Sequence, residues 1–271
     1  PKGLLHLEAG IQSLHEEVLT VSRRAGKLAD ALEGLRYLCA LDNMETHADL
    51  IAGLPLYHLS QIFDDVRTLA EYRAGEIQLE SLKLLPGTEM RRRAEELGIC
   101  YSPLPPYEVL QTREITPDEL QTARQLSRLL DGVYNAPAWQ EITRRLIVEE
   151  PGFLTRFLDH LIPIGVIDQP MGLERRGILL YHFCKEHYPH FLTAMSRAWI
   201  EAGMSLKKEP AERVRTKHVT PPEAWTVCTG TYRDNLRLCK LPASEEGRCY
   251  WYGFETESQQ LRPVFAAVSQ E

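Results

Sequence analysis

His47–Pro55, HADLIAGLP, and Glu76–Met90, EIQLESLKLLPGTEM, decide the fold. Each reads as a buried strand, His47–Ile51 and Ile77–Leu85, running into a Gly/Pro turn. One amphipathic segment separates them, with Ile62, Phe63, Val66 and Leu69 on one face and Ser60 placed to cap it. That rhythm is a βαβ unit, so the strands are expected to pair in parallel. In such folds ligands sit at the carboxyl ends of the strands, where these glycines and prolines fall.

Working outward, Leu4–Leu7 is a short apolar run that reads as a strand followed by a loop from Ile11. A short helix is expected over His15–Val21. Leu28, Leu32, Leu35 and Leu38 space an amphipathic helix through Lys27–Leu41. Thr88 can cap a helix that ends at Gly98. The alternation then stops. Tyr101–Tyr107, YSPLPPY, is an extended connector, because proline cannot sustain a helix. Thr116-Pro117-Asp118-Glu119 forms a capping box with proline at the first helical position. Helices are expected over 117–133, 138–149, 151–160, 173–186 and 189–203. From Trp225, aromatic and β-branched runs between turn residues predict a small antiparallel sheet.

Composition excludes several classes. The 44% hydrophobic and 25% charged content is that of a globular protein, and no apolar run approaches the ~20 residues of a membrane span. No secretory signal opens the sequence. With a net charge of −7 and every arginine cluster flanked by acids, neither a nucleic-acid nor a membrane partner is expected. The six cysteines (Cys39, Cys100, Cys184, Cys228, Cys239, Cys249) form no CxxC pair, which fits reduced thiols in a cytoplasmic chain.

Glu8, Gln12 and Ser13 bring a carboxylate, an amide and a hydroxyl to the first strand's exit, suited either to a polar ligand or to ordinary loop capping. Arg23 could clamp a carboxylate or lie on the surface. Gly53 and Pro55, like Pro86-Gly87-Thr88, fit a tight turn or a close approach of backbone to ligand. His182 and Glu186 stand one helical turn apart, but Pro189 interrupts the helix and no second ligand pair accompanies them, so no metal site is assigned. Phosphate-loop, dinucleotide and nucleophile-elbow motifs are absent, and no catalytic residue stands out.

Together LEAGIQS, Arg23, DLIAGLP, QLESLKLLPGTEM and GICYSPLPPYEVL resemble the later half of a radical S-adenosylmethionine core. The resemblance is to the group whose members carry an upstream cobalamin-binding domain and a C-terminal region of unassigned function, and it is strongest over residues 4–112. It implies an α/β fold: a partial parallel βα barrel over 1–112, then a helical domain over 113–271 ending in a small β segment. It implies that Glu8, Gln12 and Ser13 belong to the fourth strand's cofactor motif, and that Arg23 approaches the methionine carboxylate. Asp49, Gly53 and Pro55 would lie near the adenine, and Gln78, Lys83, Pro86 and Gly87 at the sixth strand and its exit. Two departures accompany it. No CxxxCxxC triplet is present to hold a 4Fe–4S cluster, and GLPLY puts Tyr57 where the family carries an acid.

The sequence therefore reads as the later part of a longer radical enzyme acting on a small molecule. Its missing N-terminal half would supply the cluster ligands and, in some relatives, cobalamin. Alone, the chain is expected to be inactive and to cover its open barrel edge by homodimerising, by rearranging or with its own C-terminal segment. The alternative is a non-catalytic binding or assembly module that uses the barrel remnant as scaffold.

Overall fold

The computed structural model describes residues 5–24, 26–41, 43–213, 236–241, 247–255, 263 and 265–270. Among them the chain runs β1 (Leu5–Gln12), α1 (Glu16–Val21), α2 (Leu28–Cys39), β2 (Met44–Ala52), α3 (Leu59–Glu71), β3 (Glu76–Ser81), α4 (Glu89–Arg92), α5 (Ala94–Leu97), β4 (Cys100–Tyr101) and β5 (Val109–Gln111). Then follow α6 (Pro117–Leu129), a π turn (Leu130–Tyr134), α7 (Gln140–Glu149), α8 (Phe153–Leu161), α9 (Leu173–His187), α10 (Leu192–Glu201), β6 (Leu236–Lys240), β7 (Arg248–Glu255) and β8 (Phe265–Gln270). Two compact units result, 1–170 and 171–271. The first continues past the boundary expected at 112/113, because α6 and the π turn pack against β3.

In the first unit β1, β2 and β3 pair in parallel in chain order, as the βαβ spacing predicts. Ala48, Leu50 and Ala52 of β2 and Ile77 and Leu79 of β3 are buried. Ile62, Val66, Leu69 and Ala70 of α3 are fully buried as well, and α3 packs on both strands. Each buried leucine, isoleucine or valine among them contributes about 1.5–3 kcal/mol on leaving water. The intervening residues His47, Asp49, Gln78 and Glu80 are half-buried or exposed and point to the other face, since side chains alternate along a strand. Parallel sheets are usually apolar on both faces; this one is not.

Several boundaries differ from the sequence reading. β1 continues through Gln12 rather than ending at Leu7, so Glu8 and Gln12 lie within it and only Ser13 lies beyond. Its ladder with β2 slips between Ala9 and Gln12, and Gln12 takes a left-handed φ of 69°. β3 ends at Ser81, four residues early: the Leu82 amide still donates to the Ala52 carbonyl of β2, but the Leu82 carbonyl accepts from the Val109 amide and the Leu84 amide donates to the Tyr107 carbonyl. The N-cap of α3 is His58, whose amide donates to Gln61 Oε1 at 2.8 Å; Ser60 lies inside the helix. Thr88 caps α4 as expected, and Gly98 closes α5 in the left-handed conformation. The capping box at Thr116 and Glu119 is present. The proline-rich connector sets Arg91 between the rings of Tyr101 and Tyr107, 5.0 and 4.8 Å from their centroids.

The outer edge of β3 is closed by side chains from the segment that follows α6. Asn135 accepts from the Ile77 amide and donates to the Ile77 carbonyl, both at 3.0 Å, as a neighbouring strand would. Tyr134 donates to the Ala74 carbonyl at 2.7 Å, and Gln140 donates to the Gly75 carbonyl. The covering side chains come from the middle of the chain, not from its C-terminal segment. Among the described residues β1 pairs on one side only, and its Leu5 is exposed.

In the second unit α9 and α10 pack together, burying Leu180, Phe183, Cys184, Met195 and Trp199. The order β6-β7-β8, all antiparallel, forms the small sheet expected from the aromatic run. Residues 225–235, where that run begins, and Cys228 lie outside the described residues. Among the described residues no helix is long and apolar enough to cross a membrane.

Replacing Asn135 with leucine should leave the Ile77 amide and carbonyl unpaired at a half-buried edge and cost about 1–3 kcal/mol. Urea unfolding measures it; an unchanged midpoint would refute the role assigned to Asn135.

Candidate functional site

The polar face of the sheet gathers several of the residues singled out in the sequence. Register pairs Glu8 with His47, His47 with Glu76 and Asp49 with Gln78. His47 is the hub. Its Nε2 lies 3.2 Å from His6 Nδ1, and its Nδ1 lies 3.4 Å from both Gln78 Nε2 and Glu76. One strand-step onward, the Asp49 carboxyl lies beside that of Glu8 across the β1–β2 pair. Burial, then Glu8, pushes the Asp49 carboxyl up to about 6, with Glu80 adding a smaller repulsion and His47 opposing it. The Oδ1 atom of Asp49 is buried without a hydrogen-bond partner. Two carboxyls this close favour sharing a proton over ionising together.

The strand-end residues go elsewhere. Ser13 is fully buried beside Tyr57 and accepts from the His15 amide at 3.2 Å, so it does not face the polar sheet surface. Gly53 and Pro55 are buried too. Gly53 has a φ of +91°, and a Cβ there would stand 3.3 Å from Val109 and 3.5 Å from Leu120. The close approach that this glycine permits is made by β5 and α6. Local sequence holds no sign of that contact, because both partners are more than fifty residues away.

Arg23 and the Pro86-Gly87 turn share one rim. Arg23 is exposed, with a left-handed φ of 54°, and pairs with Glu89 at 3.2 Å, just after that turn. Pro86 and Gly87 are exposed. Lys83 pairs loosely with Glu80 at 3.8 Å and bridges to Glu108. Thus Glu8, Asp49 and Gln78 share the sheet face, Arg23, Pro86 and Gly87 share the rim, and Ser13, Gly53 and Pro55 lie in the interior.

Sequence reasoning missed His6, His47 and Glu80 on that face. Alternation with the buried Ala48, Leu50 and Leu79 was the available signal. It also missed a cleft of about 530 Å³ against α3 and the start of α8, lined by Phe63, Arg67, Ile147 and Phe153.

Among the described residues no group of three histidine, cysteine or acidic side chains is disposed to hold a metal ion. His182 lies 3.9 Å from Glu209 rather than forming a site with Glu186.

Residues 95–187 match a family model described as a protein of unknown function (DUF4080). The match covers less than half of the chain. It starts in α5, ends with α9 and includes Val109, Leu120 and Asn135, the residues that cover the Gly53 turn and close β3. No curated protein matches the chain.

The raised Asp49 carboxyl fixes a pH dependence. The folded state holds this proton more tightly than the unfolded chain, whose value is 3.8, so the contribution to stability is complete below about pH 4 and is lost as pH rises through 6. Because Asp49 is only half-buried, solvent screening reduces it to about 1 kcal/mol. Asp49→Asn should flatten the stability profile between pH 4 and 7 and be the more stable form at pH 8. Parallel slopes for the two proteins in pH-dependent urea unfolding would contradict this.

Proposed function

We propose that the chain contributes the later strands of a radical S-adenosylmethionine core, with β1–β3 as part of a βα barrel and their polar face turned toward cofactor and substrate. The observation that carries this reading is the unequal sheet. A parallel sheet with an apolar face under helices and a second face bearing Glu8, His47, Asp49 and Gln78 is what a barrel lining a polar ligand requires. The matched family is associated with radical S-adenosylmethionine and B12 proteins, which supports the same assignment.

On this reading Glu8, Asp49 and Gln78 offer hydrogen bonds to the hydroxyl and amine groups of the cofactor, and the acidic face favours its positive charge. Arg23 would take the methionine carboxylate by exchanging it for Glu89. Bound S-adenosylmethionine would supply a deoxyadenosyl radical or a methyl group for a small-molecule substrate. A 4Fe–4S cluster does not fit the residues described. Among the described residues Cys39, Cys100, Cys184, Cys239 and Cys249 form no metal-holding group, and the sequence has no CxxxCxxC triplet. Its ligands, and any cobalamin, would come from polypeptide that this sequence does not contain, and that polypeptide would pair with the free side of β1. A homodimer through β1 is the competing way to occupy that side.

A second reading, a non-catalytic binding or assembly module, is favoured by the Gly53-Pro55 turn, which is packed beneath Val109 and Leu120.

Titration calorimetry with this chain alone should show no tight S-adenosylmethionine site. A longer natural chain, reconstituted anaerobically with iron and sulfide, should develop the charge-transfer absorbance of a cluster and cleave the cofactor under reductant. Asp49→Asn in that chain should weaken cofactor binding about tenfold, equivalent to ~1.4 kcal/mol. A longer chain with neither cluster absorbance nor cleavage would leave the binding-module reading in place.

A further inference from the structure

Tyr57 stands where the resembled turn carries an acid, yet a carboxylate is present in space. Tyr57 is fully buried, and its hydroxyl donates to Asp65 Oδ2 at 2.5 Å. Asp65, on the second turn of α3, is 3% exposed. The same Oδ2 accepts from the Leu14 amide at 2.8 Å. His15 Nε2 lies 3.2 Å from Asp65 Oδ1, although off the line of a hydrogen bond. Ser13 reaches Tyr57 from the β1 exit, and Gln61 of α3 reaches His15 Nδ1 at 3.3 Å.

We infer that Asp65 is a positioning residue: it supplies from α3 the carboxylate that the turn lacks and, with Tyr57, fastens the exit loops of β1 and β2 into one body. The inference rests on the proposed cofactor reading only for what those loops would hold. The contact itself is independent of that reading.

The geometry assigns each partner a part. Leu14 follows directly on Gln12 and Ser13, and Gln12 holds a left-handed φ that only a fixed loop sustains without glycine. A charged acceptor on the Leu14 amide makes a stronger bond than a neutral one. A tyrosine hydroxyl bridging the carboxylate to the turn ties β2's exit to the same anchor. Burial raises the Asp65 carboxyl, opposed by the bonds from Tyr57 and Leu14 and by His15. It also raises the Tyr57 hydroxyl far above its usual range, so the ring remains a donor at any physiological pH. The groups facing Asp65 are Tyr57 from the β2 exit and Leu14 and His15 from the β1 exit, with Ser13 and Gln61 behind them.

The test is nuclear magnetic resonance and amide exchange on the full 271-residue chain without added ligand. The Leu14 amide shift should titrate with a midpoint above that of a free aspartate. In Asp65→Asn the titration should vanish and Leu14 should exchange at least tenfold faster, while Leu50 keeps its protection. Tyr57→Phe should keep the titration and move its midpoint upward, because a bond favouring the anion is gone; this variant decides the matter if Asp65→Asn does not fold. A Leu14 amide that fails to titrate, or that neither variant perturbs, would overturn the inference. If the clasp is present but the longer chain binds no S-adenosylmethionine, the cofactor reading fails and the clasp stands. If that chain binds the cofactor and Leu14 ignores Asp65, the reverse holds.

Discussion

Two hydrogen bonds from Asn135 to the backbone of Ile77 determine where the sheet stops. An edge strand left with free amides and carbonyls either recruits another strand or is blunted. Here a single side-chain amide, donor and acceptor in one plane, reproduces the pairing of a fourth strand without adding one. Much else in the first unit follows from that choice. Helix α6 must lie against β3 to deliver the π turn, and its Leu120 then falls on Gly53. The turn after β2 is consequently closed over by protein, and the polar face remains the accessible side of the sheet.

The two faces divide the labour. Burial of Ala48, Leu50, Ile77 and Leu79 under α3 stabilises the unit, so His47, Asp49 and Gln78 on the opposite face are free of any packing duty. Polar groups half-removed from water on a parallel sheet lower stability, and the elevated Asp49 carboxyl is the measurable form of that cost. A fold concerned only with stability would carry valine or leucine there.

The elements were legible where the signal is local. Leucine spacing located α2, Thr116, Pro117 and Glu119 located the start of α6, and the Gly/Pro turns located the ends of β2 and β3 to within a few residues. What was illegible depends on partners distant in sequence. The run Leu82–Leu85 reads as strand, but beyond the Leu82 amide, which still reaches the Ala52 carbonyl of β2, its bonds go to Tyr107 and Val109. Gly53 reads as ligand space, but Val109 fills it. Ser13 and Tyr57 read as rim residues or as a lost acid, and only folding brings Asp65 beneath them. Of the candidate site, Glu8 was legible at the first strand's exit, Asp49 and Gln78 came from the resemblance, and alternation along the strands is the physical signal that joins the three. Its histidines could have been read in the same way, had the strands been traced to their full length.

The π turn at Leu130–Tyr134 gives the chain a property that no single contact expresses. A π turn accommodates one residue more than the α-helix it interrupts, and each residue in a helix advances the phase by about 100°. Tyr134, Asn135 and Gln140 must arrive together on three carbonyls of one four-residue stretch, those of Ala74, Ile77 and Gly75 respectively. The stretch from Pro117 to Gln140 is thus metered in single residues. A one-residue insertion or deletion would rotate the edge-closing set off the strand even with every side chain kept. Length, more than composition, is the quantity that descent has to preserve there.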